Sequence, residues 1–417
     1  MARRLRTALT SNAKPGDGAS SGDARIRLYS TAVVAAIILG VVLGAIGAER
    51  RGDTYGGDYP AFYGAGSIAA SGDWDQLYDL GRQIDAQRGL GGDAGSSDAR
   101  FFAYPPQVAF VYEPLAGLSY LPSYLVHTAL MVLLLLASLL LARPMLSWLQ
   151  GRLALGMAAA LTFWPMFRTT TGGSNTALTV FLVVAAWRLV YEDKQLVAGL
   201  ALAGLLYKPQ FAVPLVGLFL LGRYWRVVAG AVGGAVVFYL WGVALRGLGW
   251  VGEWLDVAAR FGRTDAQING HSAISFIGFA ENLFGVGHSP AVVVAWMLAG
   301  ATALLLAWMW LRSPGGDLDR LLAVTMPGLL LLSLHAMSHD GAAVVVTAGV
   351  AASVWDRGRW LPWVVVVWVL GASQTLIRPI GWSPGFPMLL LVMWWGWQLA
   401  HTVRSLPGAG ADDAIGV

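Results

Sequence analysis

Apolar runs of about 17 to 25 residues recur from Leu28 to His401, each interrupted by a short polar, glycine-rich or proline-containing break. A helix of that length crosses a hydrocarbon core of about 30 Å, so the pattern predicts an all-α polytopic membrane protein. The expected spans are 28–48, 121–142, 153–169, 175–190, 196–207, 210–222, 227–245, 290–311, 320–337, 341–355, 360–377 and 386–403, about twelve crossings with both ends of the chain on one side. Two of them, 196–207 and 210–222, form a short hairpin that turns at Lys208-Pro209, because proline lacks a backbone donor and disfavours helix just before it. The segment Tyr104 to Leu118, YPPQVAFVYEPLAGL, is expected as an interfacial or re-entrant helix, since a full crossing there would invert every later loop.

The basic residues agree with that parity. Arg143 and Arg152, Arg188 and Lys194, Arg223 and Arg226, Arg312 and Arg320, and Arg357 and Arg359 all fall on the side of the Arg3, Arg4 and Arg6 cluster. Lys and Arg favour cytoplasmic loops, which places both termini in the cytoplasm. Residues 1–27 and 404–417 are expected as disordered tails around a single transmembrane domain, 28–403. The basic start before an apolar run has the outline of a signal peptide, but no A-x-A cleavage pattern follows, so the run is expected to be retained as the first span. Two long outward loops, 49–120 and 246–289, are left to hold the chemistry in the cytoplasmic membrane's outer face.

Composition changes this picture little. Of 417 residues, 56% are hydrophobic and 12% charged, against about 25% charged in an ordinary soluble domain. The formal charge of +4 matters less than its distribution, and nothing points to nucleic acid. The chain has no cysteine, which excludes a thiol nucleophile, a disulfide framework and a thiolate metal site. Most of its 19 Trp residues suit the belts at the membrane interfaces.

Against that scarcity of charge, Arg50 to Asp79 gathers five aspartates: Asp53, Asp58, Asp73, Asp75 and Asp79. Asp58 opens DYPAFYGAG just beyond the first span, where a carboxylate can remain ionised and deprotonate a hydroxyl. The competing reading is a helix N-cap ahead of Pro60. Asp73 and Asp75 in D-W-D have the oxygen chemistry of a hard-cation site, yet Ser71-Gly72-Asp73 reads more simply as a turn and N-cap. Lys208, an ionisable group between two apolar segments, calls for an anionic partner such as a lipid phosphate or for snorkelling to the interface. His335 and His339 are four apart in LSLHAMSHDGAA, on one face of a continuing helix, and Asp340 follows. Without HExxH or a third ligand these residues are read as polar pocket groups, and no metal or other cofactor is expected. Arg260, Arg263, Asn269 and His271 in the second long loop, with Arg168 and Asn175 around TTTGGS, have side chains suited to phosphate and sugar hydroxyls.

Several motifs in this order resemble one known group of enzymes. They are DYPAFYGAG with the later GDWDQLYD, YPPQVAFVYEPLAGL, TGGSNTALTVFLVVAAW, AGLALAGLLYKPQFAVPLVGLFLLGRYWR and LHAMSHD. Together they resemble the polyprenyl-phosphate-dependent membrane glycosyltransferases of the GT-C superfamily, in particular the family of phosphatidylinositol-mannoside mannosyltransferases and mycobacterial arabinofuranosyltransferases. The chain departs from that pattern at Gly173-Ser174-Asn175, where the family often has glycine-glutamine-asparagine. The resemblance implies a GT-C-like fold and Asp58 as the catalytic base. It implies an inverting transfer of a sugar, with mannose expected, from a polyprenyl phosphate to a lipid or glycan hydroxyl outside the membrane. Lys208, Arg260, Arg263 and His335 are then expected at the donor phosphate, and Tyr59, Tyr63, Tyr104, Gln107, Arg168, Asn175, His339 and Asp340 in the substrate pocket. The rival class is a twelve-span transporter or lipid flippase. It would carry an internal repeat and midplane polar groups, whereas here no repeat is evident and the ionisable groups gather at one side.

Overall fold

The computed structural model describes residues 21–53, 55–90, 100–287 and 289–401. The expected tail 404–417 and residues 1–20 of the other lie outside the described residues, but 21–27 are helical. The first helix, α1, runs Ser21–Arg51 with Asp23 in its first turn and Arg50 and Arg51 in its last, each placed favourably for the helix dipole.

All twelve expected spans coincide with helical segments, but their lengths differ from the expectation. Among the described residues, five helices are long and apolar enough to cross alone: Gly22–Arg51 within α1, Tyr120–Ala142, Trp225–Arg246, Pro290–Arg312 and Arg357–Ile380. Between 11% and 33% of the residues in their most apolar windows are buried in the protein, so most of their surface needs hydrocarbon around it. A sixth candidate is a pair, Trp164–Thr171 and Thr176–Tyr191, bent by 111° at the Gly172–Asn175 turn. The remaining apolar helices are shorter, including Leu153–Thr162, Gln195–Tyr207, Pro209–Leu221 and Asp340–Val354. Proline accounts for much of the shortening. Pro165 starts a new helix after Phe163, Pro209 starts another after Lys208, and Pro327 lies inside the 15-residue Leu318–Leu332. Such interrupted segments persist at membrane depth where protein surrounds them, and every residue from Leu321 to Leu331 is buried.

The polar loops fold onto one end of the bundle. In the first, α2 (Tyr59–Ala70) and α3 (Leu80–Gln87) are followed by α4 (Pro106–Ala116), the short helix expected at the interface. α2 and α4 pack closely, with Phe62 stacked on Tyr112 at 4.8 Å. In the second loop, α5 (Trp250–Asn269) and α6 (Phe276–Phe284) flank a tight turn. The Trp254 indole N–H donates to the Ala103 carbonyl (3.0 Å), tying the two loops together. An isolated antiparallel bridge pairs Ala273 with Met337, so the second loop is also fastened to the segment carrying His335, His339 and Asp340.

Candidate active site

Asp58 is positioned by backbone rather than by its own side chain. Two glycine pairs, Gly56-Gly57 and Gly172-Gly173, come into direct contact, and the Asp58 N–H donates to the Gly172 carbonyl (2.8 Å). Gly57 and Gly173 have φ of +56° and +71°, a region costly for residues with a Cβ. A methyl on Gly57 would collide with the Gly172 carbonyl, and one on Gly173 with the Gly56 carbonyl and the Tyr59 backbone nitrogen.

Asp58 occupies the N-cap position of α2, but its carboxylate makes no capping hydrogen bond. The neighbouring acids are otherwise engaged. Asp79 caps α3 by accepting from the Arg82 N–H (2.7 Å), and Asp53 pairs with Arg51. Asp73 stands at the N-cap position of a 3-10 turn without a capping bond and instead accepts from Arg82 and Ser71. Asp75 is exposed. Asp58 is thus a partly buried acid of this loop without a hydrogen-bonding or ionic partner among the described residues, which leaves its oxygens available to a substrate.

Beside it lies a polar cluster inside the bundle. Lys208 and Asp340 form an ion pair of 2.8 Å with side chains only 4% and 6% exposed. Thr176 donates to the Asp340 Oδ1 (2.8 Å) and accepts from Lys208 (3.2 Å), while the Met337 N–H donates to Oδ2 (3.1 Å). Lys208 therefore neither snorkels nor offers an uncompensated charge. Asn175, the residue before Thr176, holds a buried side-chain oxygen without a hydrogen-bond partner among the described residues, and its own carbonyl accepts from the Tyr207 hydroxyl (2.9 Å). Tyr104 links the two halves: its ring stacks on Tyr207, and its phenol is held well above its usual pKa by burial and by the nearby Asp340 and Asp58 carboxylates. It remains a neutral hydroxyl between two acids. His339 Nε2 lies 3.9 Å from Asp340 Oδ1.

His335 is also paired. Its Nε2 sits 3.4 Å from Asp265 Oδ2, and Asn269 donates to the other Asp265 oxygen (2.6 Å). Burial pushes the His335 imidazole down from its ordinary value, while the Asp265 carboxylate pulls against that shift.

Other expected site residues serve different ends. Arg260 and Arg263 are exposed on α5, away from the face that presents Asp265 to His335. Tyr59 hydrogen-bonds Ser123, Tyr63 donates to the Leu118 carbonyl and Gln107 donates to the Phe238 carbonyl, while the Gln107 Oε1 is buried without a hydrogen-bond partner among the described residues. His271 sits in the turn after α5. Arg168 stands apart from the Lys208 cluster, at a separate cavity beside α1. The sequence reading did not single out Thr176, Tyr207 or Asp265. Thr176 adjoins Asn175 and Asp265 precedes Asn269 by one helical turn, which was the only local signal available.

A sequence model of glycosyltransferase family 87 matches residues 102–337, more than half of the chain. The chain belongs to glycosyltransferase family 87. Family 87 comprises GT-C-like membrane glycosyltransferases, in agreement with the helical, apolar architecture. No curated protein and no solved structure matches the chain. The family 87 match takes in Tyr104, Asn175, Lys208 and His335, whereas Asp58, His339 and Asp340 lie beyond its limits.

The buried pair makes a stability prediction. Lys208→Met leaves Asp340 as an uncompensated buried charge and is expected to cost about 3–5 kcal/mol. Joining Asp340→Leu to it is expected to recover much of that loss. Thermal unfolding of the purified variants checks both, and equal midpoints for wild type and Lys208→Met would contradict the pairing. Gly173→Ala, which threatens the backbone contact that holds Asp58, is expected to lower both the unfolding midpoint and transfer activity. A variant with wild-type values in both assays would remove that contact from the account.

Proposed function

We propose that this family 87 protein is an inverting enzyme that moves a sugar, mannose in the first instance, from a polyprenyl phosphate to a hydroxyl of a lipid or glycan. The acceptor oxygen attacks the anomeric carbon as Asp58 takes its proton, and the bond to phosphate breaks with its electron pair leaving on the phosphate oxygen. Attack opposite the leaving group inverts the anomeric centre. The observation that supports it is the Asp58 carboxylate, which has no partner among the described residues and is held by main-chain contacts at the edge of a polar cluster.

That cluster suits a neutral sugar ring. Lys208 is balanced by Asp340, and His335 faces Asp265, so these groups offer hydrogen bonds with little excess positive charge. Asn175 adds an acceptor for a sugar hydroxyl. This assignment moves Lys208 and His335 from the phosphate to the sugar, because each already has a carboxylate beside it. The short-loop basic pairs support an extracytoplasmic site in the cytoplasmic membrane.

Asp58→Asn is nearly isosteric but a poor proton acceptor. In a reconstituted assay with a defined polyprenyl-phosphate sugar and extracted acceptor lipids, it is expected to lower turnover by at least about 100-fold while leaving donor binding in place. Full activity would reject the base assignment.

Sidedness is open to a separate test, since the chain has no native cysteine. A membrane-impermeant thiol reagent on cells with any outer envelope permeabilised is expected to label Asp85→Cys on α3 and to spare Pro314→Cys at the opposite end. The reverse pattern would put the acid on the cytoplasmic side and end the extracytoplasmic mechanism.

A further inference from the structure

Asp58 has no capping bond to hold its side chain, so its aim depends on the segments that frame it: the start of α2, the packed α4 and the Gly172–Asn175 turn. One buried side chain touches all three. His127, 1% exposed on the Tyr120–Ala142 helix, lays its ring against Tyr59 of α2 at 4.8 Å and against Tyr112 of α4 at 5.7 Å. Its Nδ1 shares a 3.2 Å hydrogen bond with the Tyr112 hydroxyl, and the Ser174 carbonyl of the turn lies close to the imidazole. Nε2 is buried with no hydrogen-bond partner among the described residues.

The surrounding bonds give these contacts a direction. The Ser123 hydroxyl donates to the Leu115 carbonyl (2.7 Å), which leaves the Tyr59 hydroxyl as the donor in the bond between Tyr59 and Ser123. Ser123 and His127 are four residues apart, so one face of their helix holds both the tip and the side of the Tyr59 ring. With the Tyr112 hydroxyl donating to Nδ1, the one hydrogen of a neutral imidazole sits on Nε2 and is available to the Ser174 carbonyl. Tyr59 directly follows Asp58, and Gly173, just before Ser174, packs on the Tyr59 backbone nitrogen. The imidazole thus reaches within one residue of Asp58 along α2 and of the glycine contact along the turn.

Packing alone does not call for an imidazole here. A phenylalanine would fill the same space without burying two ring nitrogens, whose removal from water costs free energy unless hydrogen bonds offset it. We propose that His127 holds the Asp58 turn in register and is a positioning residue for the transfer. Its effect passes through Tyr59 and the turn to the carboxylate, with no contact to substrate. The inference rests on the transfer reading only in taking Asp58 as the base.

Two variants of the purified full chain test it. Tyr112→Phe keeps every ring and removes one hydroxyl, and His127→Phe keeps the ring contacts and removes both nitrogens. In the reconstituted transfer assay, with rates taken per folded molecule, His127→Phe is expected to lower kcat by about tenfold or more with the donor KM unchanged. Tyr112→Phe is expected to lower kcat to a smaller degree. His127→Asn, whose side-chain oxygen can accept from Tyr112 in place of Nδ1, is expected to keep more activity than His127→Phe. Tyr224→Phe, which removes a tyrosine hydroxyl at the opposite end, is expected to leave kcat as in wild type. Hydrogen exchange read by mass spectrometry follows the turn without turnover, and residues 56–59 and 172–175 are expected to exchange faster in His127→Phe and Tyr112→Phe. Wild-type kcat in both variants, wild-type exchange in these segments or a loss carried by KM alone overturns the proposal. Faster exchange together with full transfer by Asp58→Asn would keep the role of His127 in the turn and reject the base, while wild-type exchange with an inactive Asp58→Asn would do the reverse.

Discussion

A charge inside a bundle of apolar helices must be matched where it stands, and the Lys208–Asp340 pair meets that demand. Thr176 hydrogen-bonds both partners, so one polar knot joins the break before Pro209, the start of the Thr176–Tyr191 helix and the loop after Leu318–Leu332. These are the places where the short helices interrupt. The interruptions and the knot support each other: breaks supply backbone that can turn toward the pair, and the pair fixes the relative positions of the broken ends. The bridge between Ala273 and Met337 then extends that order to the second loop.

The site divides into regions of different electrostatic character. Around Lys208 and His335, carboxylates accompany the basic groups, and Tyr104 supplies a neutral hydroxyl near both Asp58 and Asp340. Beside α1, three arginines, Arg100, Arg168 and Arg378, border one cavity. A glycosyl phosphate has the same division within one molecule, an uncharged polyol joined to an anion. Asp58 stands where the two regions meet, between the Tyr104 hydroxyl and the cavity lined by Gly57 and Pro60.

The positions of the helices were legible because hydrophobic runs are local, whereas the spacing around Asp58 left a base and a helix N-cap both open, and only the family resemblance favoured the base. Helix lengths were less legible, since a 15-residue helix such as Leu318–Leu332 is tolerated only when its neighbours cover it, and covering is a tertiary fact. The same distinction explains the candidate residues. Lys208 was conspicuous alone, but the partner that changes its meaning is 132 residues away. The hydroxyls of Tyr59 and Tyr63 bond to Ser123 and to the Leu118 carbonyl, and the Gln107 amide N–H to the Phe238 carbonyl, partners 55 to 131 residues away that no local pattern announces. Arg100, Arg168 and Arg378 are far apart in the sequence and border one cavity only in the fold.

The contacts of Gly57 with Gly172 and of Gly173 with Gly56 and Tyr59 have an evolutionary consequence. When two side chains clash, a smaller partner can relieve the strain, so positions in a packed core can drift together. Here each added methyl would meet the other strand's main chain, which no compensating substitution can shrink. A lineage that loses either glycine must therefore reshape the backbone that presents Asp58. The two glycines should resist replacement separately, even in relatives whose substrates and surrounding side chains have diverged.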